Sequence, residues 1–267
     1  MCGIVGYIGN KEAYDILIQG LHRLEYRGYD SSGVAIEDGE GNLRVYKAKG
    51  KVECLERDIN GKAKDGTLGI AHTRWATHGV PNDVNAHPQL SSDGNIALVH
   101  NGTIENYAVL KEALIQHGYE FKSATDTEVL VQLISYVKNK TQCTLAEAVR
   151  EALRQVIGAY AIAVIEKGNP DLMVVARQSS PLVVGIGEDE TFIASDATPI
   201  VGYTDKVVYL RDDEMAVIRR GEPLEVMTIN EGEHCNLDIQ TLKLSVEQLE
   251  KGGYDTFMLK EIFEQPN

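Results

Sequence analysis

Cys2 stands directly after the first methionine and opens a short apolar segment, CGIVGYI. Removal of Met1 would leave Cys2 with a free α-amino group on the same residue as its thiol. An α-amine has a pKa of roughly 7.7–8.0 and a cysteine thiol one of roughly 8.5. The amine can therefore accept the thiol proton near neutral pH, so that one residue supplies both nucleophile and base. An unreactive buried cysteine is the alternative interpretation of this position.

Polar groups that suit the binding of a small substrate recur further along the chain. Arg74 carries a planar guanidinium that can hold a carboxylate through two parallel hydrogen bonds. Asn101 and Gly102 supply neutral N–H donors that can stabilise an oxyanion, and glycine allows close approach of the backbone. A solvated loop arginine and an ordinary Asn-Gly turn are the alternatives. These residues and their neighbours belong to three segments: EYRGYDSSG (25–33), HTRWATHG (72–79) and HNGTIENY (100–107).

Together with CGIVGYIG and ATDTE (124–128), the three segments resemble the N-terminal-nucleophile, or class II, glutamine amidotransferases. Each motif is weak alone, but five in the same order are specific. The resemblance runs from Cys2 to the last residue, and it is strongest to the glutaminase part of the members that aminate fructose 6-phosphate. It implies hydrolysis of L-glutamine to glutamate and ammonia through a thioester on Cys2.

The resemblance also implies the catalytic and principal binding roles. The side-chain amide of Asn101 and the N–H of Gly102 are expected to form the oxyanion hole. Arg74 is expected to bind the α-carboxylate of glutamine. Asp126 is expected to bind its α-ammonium group, although Asp126 or Thr125 could instead cap the following helix.

Four further positions match the family less directly. Thr77 and His78 are similar to residues that line the glutamine pocket, and we assign no base role to His78 because the α-amine already fills it. Trp75 is expected to gate the exit for ammonia by excluding water. Arg27 is expected to brace the site near the nucleophile, although the sequence gives no independent reason to prefer it to Arg23.

No metal or cofactor is expected from the sequence. The spacing of the neighbouring histidines matches no metal-ligand pattern, and there is no HExxH motif. We expect these side chains to be hydrogen-bonded polar residues. There is also no Walker or GxGxxG loop that would bind a nucleotide. The histidines concerned are His72, His78, His87 and His100.

Composition limits the kinds of binding partner and the cellular compartment that can be expected. Lys and Arg number 26 against 40 Asp and Glu, a formal net charge of −14, which disfavours nucleic acid as a partner. The four cysteines form no CxxC pair, as expected of reduced thiols in the cytoplasm. No apolar run approaches the length of a membrane span, so no membrane partner is expected.

The order of periodic segments predicts an α+β fold. Strand patterns come first, then three helical patterns, then a strand-rich stretch, without regular βαβ alternation. The arrangement favours a layered sandwich of largely antiparallel sheets. The resemblance makes this a four-layer αββα sandwich, the N-terminal-nucleophile hydrolase fold. Between the predicted strands TLGIAHTRW and NIALVHNG, residues 73–95 show no period and are interpreted as a long binding loop.

Two domain segments are expected. Residues 1–236 are assigned to the glutaminase domain, and residues 237–267 to a linker and the start of a truncated sugar-isomerase region. Fructose 6-phosphate would then be bound only by absent domains, and the full-length protein is expected to be a homodimer. Alternatives are another amidotransferase of the same fold, or a non-catalytic glutamine-binding module that keeps Met1.

The intact mass of the purified protein separates the enzyme from the non-catalytic module. We expect the mass to be lower than that of the full sequence by one methionine, because only that removal frees the α-amine of Cys2. Retention of Met1 in a preparation that still hydrolyses glutamine would contradict the role given to the amine.

Overall fold

Short segments rich in valine and isoleucine form two β-sheets in the computed structural model, which describes residues 2–76 and 79–242. All pairings between the strands are antiparallel. Helices cover the outer face of each sheet. The predicted four-layer αββα sandwich is confirmed.

The first sheet has eight strands in the order β14-β11-β9-β10-β1-β4-β2-β3, and the second has six in the order β13-β12-β8-β7-β6-β5. The strands are β1 (Gly3–Ile8), β2 (Ser31–Glu37), β3 (Leu43–Lys49), β4 (Leu68–Arg74), β5 (Gln89–Leu90), β6 (Ile96–Ile104), β7 (Gly158–Glu166), β8 (Leu172–Gln178), β9 (Val183–Ile186), β10 (Thr191–Ala194), β11 (Lys206–Tyr209), β12 (Glu214–Arg219), β13 (Glu225–Thr228) and β14 (Gln240–Thr241).

Helices α1 and α2 pack on the first sheet, and α3, α4 and α5 pack on the second. A single 3₁₀ turn (Glu25–Arg27) follows α1. The helices are α1 (Ala13–Leu24), α2 (Val52–Ile59), α3 (Tyr107–Gln116), α4 (Asp126–Thr141) and α5 (Leu145–Leu153).

Alternation along the strands fixes which side chains face the other sheet. Ile70 on β4 and Val99 on β6 belong to the core between the sheets, whereas Ala71 faces the helices. Because successive strand residues point to opposite faces, residue 72 and residue 74 of β4 share the inner face with Ile70. Residue 101 shares it with Val99 by the same rule. The C-terminal ends of β4 and β6 therefore present polar side chains to one another across the gap between the sheets.

Helix caps fix the start of α4 and α5. Thr144 and Glu147 form a capping box at the start of α5, an arrangement that the Thr-x-x-Glu spacing predicts. The Thr125 side chain accepts a hydrogen bond from the Glu128 N–H and caps α4. Asp126 is therefore the first residue of α4, and its carboxylate makes a different contact. The two alternatives for this cap are thus resolved in favour of Thr125.

Some elements carry too short a pattern to be recognised from sequence. Helix α2 buries only three apolar side chains over eight residues, which is too few to show a helical period in the sequence. Strand β5 lies inside the segment interpreted as a loop, and β13 is four residues long. Strand β14 pairs with β11 although it falls in the segment assigned to the linker. Residues 243–267 lie outside the described residues, so the boundary at 236 stays a prediction.

None of the helices within residues 2–76 and 79–242 combines the length and the apolar character needed to cross a membrane.

Candidate active site

Strand pairing brings Cys2 next to Arg74. Strands β1 and β4 pair with Gly3 opposite Thr73, so the register places Cys2 opposite Arg74 on the inner face. The Cys2 Sγ accepts a hydrogen bond from the Trp75 N–H at 3.2 Å. The thiol therefore lies at the end of the central strand of the first sheet, held against the residue that follows β4.

Burial raises the pKa of the Cys2 thiol above its ordinary value, while the Trp75 N–H and the nearby Arg74 charge act in the opposite direction. The net shift is upward, so the thiol is neutral at pH 7. A neutral thiol is a poor nucleophile, and a base is needed to take its proton.

The side chain of Asn101 connects the second sheet to Cys2. Its Nδ2 donates to the Cys2 carbonyl oxygen at 3.1 Å. Its Oδ1 lies 2.9 Å from the His72 Nε2, and Asn101 is buried. A side-chain amide of the second sheet thus contacts the backbone of Cys2 across the gap between the sheets.

Gly102 follows Asn101 with φ +132°, a backbone conformation that L side chains rarely adopt. A Cβ at this position would overlap the Ala159 carbonyl oxygen on the neighbouring strand β7. Glycine is therefore required both by the backbone angle and by the close approach of β7. The predicted Asn-Gly pair lies within β6 and is not a hairpin turn.

Arg74 and Asp126 converge on the same end of the sandwich. Arg74 is 3% exposed and Asp126 is 5% exposed. Burial lowers the pKa of Arg74, and the charges of Cys2, Asp126 and Asp30 act against that shift. The Asp126 Oδ2 accepts a hydrogen bond from the Ile104 N–H at 2.8 Å, which ties the start of α4 to the end of β6. A buried guanidinium and a buried carboxylate therefore lie within electrostatic range.

Trp75 is 45% exposed, and its ring meets the Tyr29 ring edge to face with centroids 5.6 Å apart. Arg27 pairs with Asp196 at 2.8 Å. Because Ser195 next to Asp196 accepts a hydrogen bond from the Ile4 N–H, this ion pair ties the 3₁₀ turn to the start of β1. Arg23 donates to three backbone carbonyls, those of Thr198, Pro199 and Val201.

Cys2, Arg74, Asn101 and Asp126 are thus brought to one end of the crevice between the sheets, with Gly102 next to Asn101. Thr77 and His78 lie outside the described residues. Within residues 2–76 and 79–242, no group of three or more His, Cys, Asp or Glu side chains could hold a metal ion.

Asp30 lies in the segment EYRGYDSSG, where the sequence indicated only a turn, and it supports the loop beside Cys2. Its Oδ2 accepts a hydrogen bond from the Ala76 N–H at 2.9 Å, and its own N–H donates to the Arg74 carbonyl. A Cβ at Gly28 would lie 2.7 Å from the Arg74 carbonyl carbon, so glycine admits this close packing. Asp30 thereby holds the turn that directs the Trp75 N–H at Cys2.

Asn85 is a second support that the sequence did not indicate. Its Oδ1 accepts from the Ala124 N–H and its Nδ2 donates to the Val80 carbonyl, both at 2.9 Å. The loop after residue 79 is therefore fastened to the segment that leads into α4. The Arg74 Nη2 reaches the same loop at the Gly79 carbonyl, 3.5 Å away.

The family described as "Glutamine amidotransferase domain" matches residues 45–220. The chain belongs to this family of glutamine amidotransferases. This confirms the family resemblance seen in the motifs.

Curated relatives match this chain along its whole length. The glutamine–fructose-6-phosphate aminotransferase [isomerizing] of Bacteroides thetaiotaomicron is 62% identical over 267 residues. The protein of the same name from Chlorobaculum tepidum is 54% identical over 270 residues. The chain spans 43% of the length of each of these relatives.

Solved structures share the fold. The glutamine phosphoribosylpyrophosphate amidotransferase from B. subtilis, complexed with ADP and GMP, matches with a TM-score of 0.72 and 31% identity. The match covers 86% of this chain and 50% of that chain. A structure titled as the allosteric regulatory enzyme of purine biosynthesis matches with a TM-score of 0.74 and 31% identity, over 86% of this chain and 49% of that chain.

Loss of the Asp30 carboxylate should loosen the turn at Trp75. Because Trp75 is the one tryptophan of the sequence, its fluorescence reports on this turn alone. We expect Asp30→Ala to shift the emission to longer wavelength and to increase quenching by acrylamide, since the Ala76 N–H loses its acceptor. Asp30→Asn keeps an acceptor oxygen and should stay close to wild type.

Asp58→Ala, at an exposed position of α2, is the control and should leave the spectrum unchanged. An Asp30→Ala spectrum that coincides with that of wild type, with equal quenching, would show that Asp30 does not hold the turn.

Proposed function

We propose that this chain hydrolyses L-glutamine to glutamate and ammonia, with Cys2 as the nucleophile once Met1 is removed. The observation that carries the proposal is the convergence on Cys2 of Arg74, which lies opposite it in the strand pairing, and of the Asn101 amide, which donates to the Cys2 carbonyl oxygen. The family supports a glutamine substrate. The raised pKa of Cys2 supports a mechanism in which the α-amine acts as the base.

Each step follows from groups on this chain. The α-amine takes the thiol proton, and the Sγ attacks the side-chain amide carbon of glutamine. The developing oxyanion accepts hydrogen bonds from the Asn101 Nδ2 and the Gly102 N–H, and one such donor contributes about 3–4 kcal/mol to lowering the barrier. The α-ammonium returns its proton to the leaving nitrogen, ammonia departs, and a γ-glutamyl thioester remains. Water then attacks the thioester, which releases glutamate and restores the thiol.

Arg74 and Asp126 would orient the substrate through its zwitterionic end. The Arg74 guanidinium binds the α-carboxylate, and the Asp126 Oδ1 accepts from the α-ammonium while Oδ2 remains bonded to the Ile104 N–H. Both charges are already buried, so little solvent has to be displaced when the ligand arrives. Thr77 and His78 would complete the pocket.

Arg27 and Trp75 would have supporting roles in the same site. Arg27, through Asp196, would brace the start of β1 that carries Cys2. Trp75 is half-exposed beside the thiol, where its indole would exclude water from the departing ammonia.

The relatives named above support a place for this chain in amino-sugar synthesis. We propose that the ammonia is passed to fructose 6-phosphate bound by sugar-isomerase domains, to give glucosamine 6-phosphate. Residues 237–267 would then form the linker and the start of that region, and the complete protein would be a cytoplasmic homodimer. The relatives' higher identity, 62% against 31% for the phosphoribosylpyrophosphate enzyme, favours this branch over the other amidotransferases.

Replacement of the nucleophile tests the reaction. Cys2→Ala should abolish ammonia release from glutamine, because both the thioester and the initial attack are lost. The variant should still bind glutamine in a calorimetric titration, since Arg74 and Asp126 are intact. Cys143→Ala removes a partly buried thiol after α4 and should leave activity unchanged.

A glutamine-mimicking electrophile should label Cys2 of the wild-type protein and no residue of Cys2→Ala. Ammonia release by Cys2→Ala near the wild-type rate, or labelling mapped to Cys143, would overturn the assignment.

Arg74→Lys tests the binding role of the guanidinium. A point charge replaces a two-pronged donor, so we expect KM for glutamine to rise roughly 10- to 100-fold with a smaller change in kcat. Arg154→Lys, at a partly exposed position that pairs with Glu151, is the matched control. Steady-state kinetics that return an unchanged KM for Arg74→Lys would contradict carboxylate binding at this position.

A further inference from the structure

His72 is a fully buried histidine on the inner face of β4, two residues before Arg74. Its Nε2 lies 2.9 Å from the Asn101 Oδ1 and 3.1 Å from the His100 carbonyl oxygen. The sequence indicated only a hydrogen-bonded polar residue at this position. His72 contacts Asn101, one of the proposed oxyanion-hole residues, and this contact indicates a more specific role for His72.

The tautomer of His72 follows from these neighbours. The His100 carbonyl oxygen can only accept, so a bond to it requires a proton on Nε2. The Nδ1 is buried and has no hydrogen-bond partner among residues 2–76 and 79–242. A buried lone pair is tolerated better there than a buried unpaired N–H. Burial also lowers the pKa of His72 to about 3, so the ring is neutral and carries its proton on Nε2.

The fixed N–H of His72 selects one orientation of the Asn101 amide. The two ends of a primary amide have nearly the same shape, so hydrogen bonds alone decide between them. With Oδ1 toward His72, Nδ2 points at Cys2 and donates to its carbonyl oxygen at 3.1 Å. Rotation by 180° would set Nδ2 against the His72 N–H and Oδ1 against the Cys2 carbonyl, two repulsive contacts. The second N–H of Nδ2 then remains for the oxyanion.

The ring of His72 is itself held in place. It stacks on the His87 ring with centroids 4.3 Å apart and an interplanar angle of 31°. The His87 Nδ1 accepts from the His100 N–H at 3.4 Å. A Cβ at Gly33, which pairs with His72 across β2 and β4, would overlap the His87 carbonyl oxygen, so glycine allows His87 to approach.

We propose that His72 is a positioning residue for glutamine hydrolysis: its Nε2–H locks the Asn101 amide with Nδ2 facing the Cys2 side of the crevice. It contacts neither the substrate nor the thiol and acts through Asn101. The inference rests on the proposed glutaminase function and adds a residue to it.

The test compares His72→Leu, which removes the donor, with His72→Gln, whose side-chain N–H can take the place of Nε2–H. Loss of one oxyanion donor lowers kcat about 10²- to 10³-fold in comparable enzymes. We expect a loss of this size for His72→Leu with KM changed by less than about threefold, since glutamine binding is not lost. His72→Gln should recover most of kcat.

A double variant distinguishes positioning from general destabilisation. If His72 acts only through Asn101, the pair His72→Leu and Asn101→Ala should be no slower than Asn101→Ala alone. Multiplying losses would overturn the proposal. Gln132→Leu, which removes a buried side chain that accepts from the Ser92 N–H, controls for loss of a buried polar group and should keep kcat.

Nitrogen NMR of the wild-type imidazoles provides a test that needs no variant. We expect His72 to stay neutral with its proton on Nε2 from about pH 5 to pH 9, where an unperturbed histidine would titrate. A proton on Nδ1, or titration in this range, would overturn the proposal even if His72→Leu fails to fold. A wild-type protein that neither releases ammonia nor is labelled at Cys2 would instead refute the glutaminase function itself.

Discussion

The antiparallel pairing of β1 with β4 is the interaction on which the site depends. Its register places Cys2 beside Arg74 and sets the Trp75 N–H against the thiol. A shift of β1 by one residue would turn Cys2 toward the helices while Arg74, on β4, stayed on the inner face. Six residue pairs between the two strands and the apolar core on both faces of the sheet hold this register. The position of Cys2 is therefore fixed by packing along the whole length of β1.

The second sheet contributes polar groups to the same end of the crevice. Its strand β6 carries Asn101 and Gly102 at the end nearest Cys2, and α4 begins with Asp126 at the same end. Burial makes these polar contacts strong because little water competes for them. Burial also makes an unpaired polar group costly in free energy. Asp30 and Asn85 reduce that cost because they form hydrogen bonds with backbone groups of the surrounding loops.

Much of the fold and of the site was predictable from sequence because the signals are local. Strand alternation, the capping box at Thr144 and the order of strands, helices and strands all lie within short windows. The order of the five motifs was enough to indicate the family, which the comparisons confirmed. Helix α2 was missed because three apolar residues in about two turns do not distinguish a helix from a loop.

His72, Asp30 and Asn85 could not be assigned because their partners lie 29, 46 and 39 residues away in the chain. Only the alternation of His72 with Arg74 on one strand face hinted at a shared location. The roles of Arg27, Trp75, Thr77 and His78 stay predictions.

The neutral state of His72 has a practical consequence for how this protein can be produced. His72 carries its one proton toward Asn101, and the His100 Nδ1 lies 3.0 Å from the Thr127 hydroxyl on the opposite side of β6, so the proposed mechanism relies on the α-amine of Cys2 as its base. A tag fused ahead of Cys2 would convert the proposed base into an amide nitrogen, which is not basic. Such a fusion would be a caged enzyme, silent until a protease that leaves no extra residue cuts it, whereas a tag at the other end would not have this effect.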